Sequence, residues 1–198
     1  MIDPWEYERR CWARGLQAVA GTDEAGAGPL AGAVYAAAVI LPPLISIEGL
    51  NDSKKVSPSK REALFDEIAR CAVAWSVAWV DEREIDEINI LNARLLAMER
   101  AVAALRPAAD YVLVDGNRSA GLSLPNETIV NGDSLSASIS AASILAKVSR
   151  DRYMLDMAAR YPAYAFERHK GYPTKLHYER LGAHGPCPIH RKTFLKNL

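Results

Sequence analysis

Four acids carry the chemistry most readily suggested by this 198-residue sequence: Asp23 and Glu24, adjacent in GTDEAGAGPLAG, Asp115 in YVLVDG, and Asp133 in ETIVNGD. Asp23, Asp115 and Asp133 each follow an apolar run of strand character. Such a run would fix its carboxylate at a rigid strand tip, where open α/β sheets collect their functional groups. Glu24 would share the glycine-rich turn after the first run. A lone Asp in such a place is ordinarily a turn former or a helix N-cap, and Asp133, directly before Ser134 and a helical pattern, is the most open to that reading. Three such acids with an adjoining Glu point instead to a common site. Converging carboxylates repel one another and need a cation, and an all-oxygen donor set without Cys or His suits Mg²⁺ or Mn²⁺ rather than Zn²⁺. Two such ions about 4 Å apart can activate a water and stabilise the leaving oxygen of a phosphodiester. The expected chemistry is that of a metal-dependent nuclease.

Other motifs carry less. GTDEAGAGPLAG lacks the Gly-Lys-Ser/Thr ending of a phosphate-binding P-loop, and its glycine spacing does not make the dinucleotide fingerprint. His184, Cys187 and His190, with His177 as a conceivable fourth ligand, are zinc-ligand types, but their spacing is not that of a ribbon or finger. Packing or phosphate contact is the expected role of those histidines. Trp75 and Trp79 lie four residues apart in a strand-like run and so share a face, where core packing is expected rather than base stacking.

The acids need a scaffold, and the sequence describes one. Asp3 as N-cap, Pro4 at the first helical position, Glu6 completing a capping box and Gly15 as the stop predict a short helix. LQAVAGTD (16–23) and AGAVYAAAVIL (31–41) read as two strands joined by the glycine-rich turn. Ser57-Pro58 opens a second helix with Leu64, Ile68 and Cys71 on one face, and AVAWSVAWV (72–80) follows as a strand. A third helix over 89–105 carries the stripe Leu91, Leu95, Met98, Val102 and Leu105. YVLVDG and the shorter ETIVNGD are strands, SASISAASILAKVSRDRYMLDMAARY is a long helix, and Thr174 and Gly185 bracket a last one. A hairpin-like pair followed by alternating strands and helices predicts an α/β fold with a mixed sheet. The chain reads as one domain, 1–165, with an appendage, 166–198.

Composition sets the class. Hydrophobic residues make up 49% and charged residues 24%, inside the globular range and outside that of disorder. No apolar run approaches a membrane span, and MIDPWEYERRCW is too charged and aromatic for a signal peptide, so a cytoplasmic location away from any membrane is expected. Cys11, Cys71 and Cys187 are odd in number and widely spaced, which argues for reduced thiols. The formal net charge is zero, yet residues 168–198 hold seven basic residues and the single acid Glu179. That segment suits a phosphate-facing flank beside an acidic centre. Acids that were merely structural would leave a non-catalytic nucleic-acid-binding module, and that alternative stays open at this point.

Taken together, GTDEAGAGPLAGAV, LNDSKKVS, IDEINILNA, YVLVDGNR, NGDSLSASISAASILAKVSRD and HKGYPTKLHYERLGAHGP resemble the type 2 ribonuclease H family, in particular bacterial ribonuclease HII. The resemblance implies a ribonuclease H-like fold, a five-stranded mixed sheet flanked by helices, with a C-terminal helical extension that helps hold the substrate. It implies a monomeric endonuclease that cuts the RNA strand of RNA–DNA hybrids and cuts at single ribonucleotides embedded in duplex DNA, leaving 3′-hydroxyl and 5′-phosphate ends. The family's metal-binding acids map onto Asp23, Glu24, Asp115 and Asp133. Its reader of the ribose 2′-hydroxyl maps onto Tyr172 of KGYP, acting with main-chain groups of the turn Gly26-Ala27-Gly28, and phosphate contacts map onto Lys54 and Lys170. The family's turn reads Gly-Arg-Gly, so Ala27 removes a guanidinium that would meet a phosphate. Another ribonuclease H-like nuclease, resolvase- or transposase-like and indifferent to the 2′-hydroxyl, is the neighbouring alternative.

Overall fold

The computed structural model describes residues 3–50, 57–119 and 121–196; Lys54, an expected phosphate contact, lies outside the described residues. Strands β1 (Val19–Ala25), β2 (Val34–Ile40), β3 (Ala74–Val80), β4 (Tyr111–Asp115) and β5 (Asn126–Ile129) form one sheet in the order β3-β2-β1-β4-β5. β1, β2 and β3 pair antiparallel, while β1–β4 and β4–β5 are parallel. This is the expected five-stranded mixed sheet flanked by helices.

β2 explains the layering. Its residues are apolar without alternation because both of its faces are covered. Ala36, Ala38 and Ile40 pack with α3 (Glu82–Ala104), whereas Ala37 and Val39 pack with α2 (Pro58–Cys71) and α4 (Ala137–Arg160). α4 crosses β1 so closely that a Cβ on Gly21 would collide with the main chain of Ser138 and Ile139. Only glycine permits that approach, and it brings the face of α4 bearing Ser143 and Lys147 beside the acid-bearing end of β1.

Several boundaries differ from the sequence reading. The first helix, α1, runs Glu6–Trp12 with Trp5 at its N-cap; the expected cap Asp3 and Pro4 stay in the preceding turn, where the Asp3 carboxylate accepts from Trp5 N–H at 3.0 Å. β1 continues through both acids, because pairing with β2 persists at Asp23–Ala37, Glu24–Ala36 and Ala25–Tyr35. Asp23 and Glu24 therefore sit within the strand and not on the turn. α3 starts seven residues before the predicted boundary, capped by Asp81, and bends at Asn89 (φ 65°), whose side chain accepts from Asn92 N–H at 3.1 Å and restarts the helix. The expected core role of the tryptophans fails as well: Trp75 is 40% and Trp79 55% exposed. They do share a face, but β3 is an edge strand; Trp75 meets Phe65 edge-on and donates its indole N–H to the Ala69 carbonyl at 3.2 Å, and Trp79 stacks on Tyr35.

The C-terminal segment packs as part of the same body. α5 (Phe166–His169) and α6 (Lys175–His184, capped by Thr174 and ended by Gly185) join a cluster of Ala31, Met154, Tyr164, Phe166 and Ile189. Main-chain bonds from Leu30 N–H to Gly171 and from Arg191 N–H to Leu30 tie this segment to the stretch after β1. Among the described residues no helix is long and apolar enough to cross a membrane.

Candidate active site

Register puts the first acids together. The parallel β1–β4 ladder pairs Gly21 with Leu113 and Thr22 with Val114, so Asp23 and Asp115 occupy the next rung, at the ends where the two strands separate. Glu24, one residue on, points to the other face of the sheet. There Arg94 of α3 approaches, its Nε 3.2 Å from Glu24 Oε1. Asp115 Oδ1 accepts the main-chain N–H of Asp133 at 3.3 Å, which ties the β5–α4 turn to the cluster. Asp23, Glu24 and Asp115 line a cavity of about 450 Å³ with Ala25–Gly28, Arg61, Ser143, Lys147 and Tyr172. Asp133, itself buried, stands behind Asp115.

Burial dominates the electrostatics of Asp23 and Glu24, with the mutual repulsion of the acids added to it. Burial, then the charges of Asp115 and Glu24, hold the Asp23 carboxyl well above the ordinary range. Glu24 is raised by burial as well, against the opposing pull of Arg94, and its Oε2 is buried without a hydrogen-bond partner. As they stand, no three acid, histidine or cysteine side chains among the described residues are close enough together to enclose an ion. The donor chemistry still fits a hard divalent ion: carboxylate oxygens alone, one of them orphaned, with the upward shift of Asp23 one that a bound cation would oppose.

The glycine turn is held from below by two buried guanidinium groups that the sequence reading missed. Arg191 donates to the carbonyls of Gly26 (2.7 Å), Ala27 (2.9 Å) and Gly32 (2.7 and 2.9 Å). With those two turn carbonyls facing Arg191, the trans peptide plane directs the N–H groups of Ala27 and Gly28 away from it. Arg150 donates to Ala31, Ala33 and Lys170 carbonyls, and its side chain fills the space a Cβ on Gly26 would need. Among the described residues neither arginine has a carboxylate at ion-pair distance, and burial with the nearby charge of Arg150 pushes Arg191 down to about 9.

Tyr172 reaches the same cavity from the other side. It is 39% exposed, opposite Gly28, with Lys147 and Arg150 over its ring at 6.0 and 5.6 Å. Lys170 does not extend into the cavity; its ammonium folds back to the Glu167 carbonyl. Among the described residues the cations that line the cavity are Arg61 and Lys147. Ser143, which hydrogen-bonds Asp23, and Lys147 are one helical turn apart on α4, a polar stripe that the spacing could have revealed. Nothing in the local sequence marks Arg94, Arg150 or Arg191. The histidines are not a zinc site: His169, His177 and His190 are buried and bonded to main chain and to one another, and His184 lies outside that group, exposed at the end of α6.

Residues 20–197 match the family model for ribonuclease HII. The chain is 53% identical over 194 residues to a ribonuclease HII of Caldicellulosiruptor saccharolyticus, covering 98% of this chain and 95% of that relative. Of solved structures, the ribonuclease H2 from Pyrococcus horikoshii OT3 superposes with a TM-score of 0.74 at 29% identity, over 89% of this chain and 93% of that one. Bst-RNase HIII in complex with Mn²⁺ shares the fold at a TM-score of 0.65 and 16% identity, over 84% of this chain and 70% of that one.

Proposed function

This chain belongs to the ribonuclease HII family and is a ribonuclease H-type endoribonuclease, and we propose that it hydrolyses the RNA strand of RNA–DNA hybrids and incises duplex DNA 5′ to single embedded ribonucleotides. The observation that carries the finer reading is one cavity holding Asp23, Glu24 and Asp115 on one side and Tyr172 with the Gly26-Ala27-Gly28 turn on the other. A phosphodiester at the acids would have its ribose within reach of the tyrosine and the turn.

Asp23, Glu24, Asp115 and Asp133 are the residues that would hold two Mg²⁺ or Mn²⁺ ions, and Mn²⁺ is the ion in the solved Bst-RNase HIII. When bound, such ions supply Lewis acidity and a water of lowered pKa. Tyr172 reads the 2′-hydroxyl, the group that distinguishes RNA from DNA. The N–H groups of Ala27 and Gly28, oriented by Arg191, donate to the same sugar. Arg61 and Lys147 supply positive charge toward the substrate phosphates in place of the folded-back Lys170. Cleavage then leaves 3′-hydroxyl and 5′-phosphate ends, by a monomer acting in the cytoplasm.

The test is cleavage of duplex DNA carrying one ribonucleotide, in Mg²⁺ or Mn²⁺ and in chelator, by wild type, Asp23→Asn and Asp115→Asn. Incision 5′ to the ribonucleotide by wild type alone, abolished by chelator, is expected. Undiminished cutting by both variants would sink the assignment, and equal cutting of all-DNA duplex would point to a nuclease indifferent to the ribose.

A further inference from the structure

We infer that His177 and His190 form a directional hydrogen-bond relay that sets the position of Tyr172, and so act as positioning residues for the recognition of ribose. The inference rests on the reading of Tyr172 as the group that meets the 2′-hydroxyl.

The direction follows from partners whose roles are fixed. Cys187 donates its main-chain N–H to His190 Nδ1 at 2.9 Å, with its Sγ at 3.1 Å and its carbonyl oxygen at 3.3 Å from the same nitrogen; the N–H is the nearest of the three and can only donate, which makes that nitrogen the acceptor. In the neutral ring the proton is then on Nε2, which faces His177 Nε2 at 3.1 Å. His177 must accept there and keep its own proton on Nδ1, 3.0 Å from the Tyr172 carbonyl, which can only accept. Donation thus runs one way, from Cys187 through His190 and His177 to Tyr172. Both imidazoles are closed to solvent, at 0% and 3% exposure, so water offers no substitute partner.

A second imidazole closes the same loop. His169 accepts from Gly171 N–H at 3.2 Å and faces the Tyr164 carbonyl at 2.9 Å, and its ring stacks on that of His177 with centroids 4.3 Å apart. Between these two rings Lys170 and Gly171 both have positive φ, at 50° and 83°, a tight reversal that only its bonds can hold. The Tyr172 carbonyl also receives Thr174 N–H at 2.8 Å. Among the described residues His177 is therefore the one side chain bonded to that carbonyl, and it sets the main chain from which the tyrosine ring extends toward Lys147 and Arg150.

The two amide analogues of histidine separate positioning from simple packing. Asn at 177 can keep a donor near the Nδ1 position, while Gln keeps a polar group near Nε2 and loses the donor to Tyr172. We expect His177→Asn to retain kcat/KM on a single-ribonucleotide duplex within about threefold, and His177→Gln to lose roughly five- to thirtyfold, mostly in KM, with thermal midpoints alike. Equal losses in both variants, or none in either while Tyr172→Phe is impaired, overturn the relay. An unimpaired Tyr172→Phe overturns instead the role of Tyr172 on which the relay depends. Long-range ¹H–¹⁵N spectra of the wild-type protein provide a readout independent of mutation: His190 protonated at Nε2 and His177 at Nδ1 are expected, and the opposite tautomer at either ring refutes the relay.

Discussion

Arg94 Nε stands 3.2 Å from Oε1 of Glu24, placing a cation of α3 inside the acidic cluster. It compensates part of the charge that a metal ion would otherwise have to balance, and it engages a proposed ligand. Arg94→Ala should therefore destabilise the metal-free protein, by about 1–3 kcal/mol given the partial burial of the pair, and tighten Mn²⁺ binding several-fold. Thermal unfolding in chelator and calorimetric titration with Mn²⁺ measure the two effects. No change in either would remove Arg94 from the electrostatics of the site.

Arg191 spans three carbonyls of the turn and of Gly32 with one planar fork. A lysine cannot copy that geometry and would leave buried carbonyls without donors. Arg191→Lys is expected to cost roughly 2–4 kcal/mol of stability and to raise KM more than it lowers kcat. A variant with wild-type KM would show that the orientation of the turn does not depend on this side chain.

Ala27 is half-buried and lines the cavity between two glycines. Ala27→Arg restores the guanidinium that the family carries, and one charge-assisted bond to a phosphate should tighten substrate binding about ten- to a hundredfold. Binding of hybrid and of ribonucleotide-containing duplex to an Asp115→Asn background reads this directly. Unaltered affinity for both would mean that Arg61 and Lys147 already serve that phosphate.

The buried histidines predict an acid limit to stability. His190 is pushed down to about 4 by burial and then by His177, and His169 and His177 are lowered as well. Around them stand Tyr164 and Cys187, with Glu167, Arg168 and Lys170 about His169 and Glu82 toward Cys187. Because the unfolded chain takes up protons near pH 6.5 and the folded one resists, their contribution is complete above that value and is lost as pH falls toward 4. The loss attributable to His190 is on the order of 3 kcal/mol. Denaturant unfolding between pH 7 and 4 should show a slope that His190→Gln flattens; an unchanged slope would assign the acid sensitivity elsewhere.

Much of this molecule was legible before folding. The α/β class and the mixed sheet followed from alternation of apolar runs with helical stripes, and Ser57-Pro58 and Thr174 with Gly185 marked helix ends that the structure places where their capping chemistry demands. Boundaries failed where pairing or exposure overrode local pattern. β1 ran on through its acids because β2 offered partners, and the tryptophans of β3 lay open because an edge strand has a neighbour on one side only.

The sequence by itself singled out the four acids, which follow apolar strand-like runs, and its resemblance to a family added the tyrosine and the glycine turn, because each lies in a contiguous string. Only the tertiary structure decided what supports them. Arg94, Arg150, Arg191 and the His190–His177 pair act on groups about 70 to 165 residues away or across a buried fold-back, and a guanidinium that binds carbonyls leaves no periodicity in its own neighbourhood. Catalytic groups are written locally, but the donors that hold them are selected by whatever the packed chain brings within 3 Å or so of an unsatisfied carbonyl.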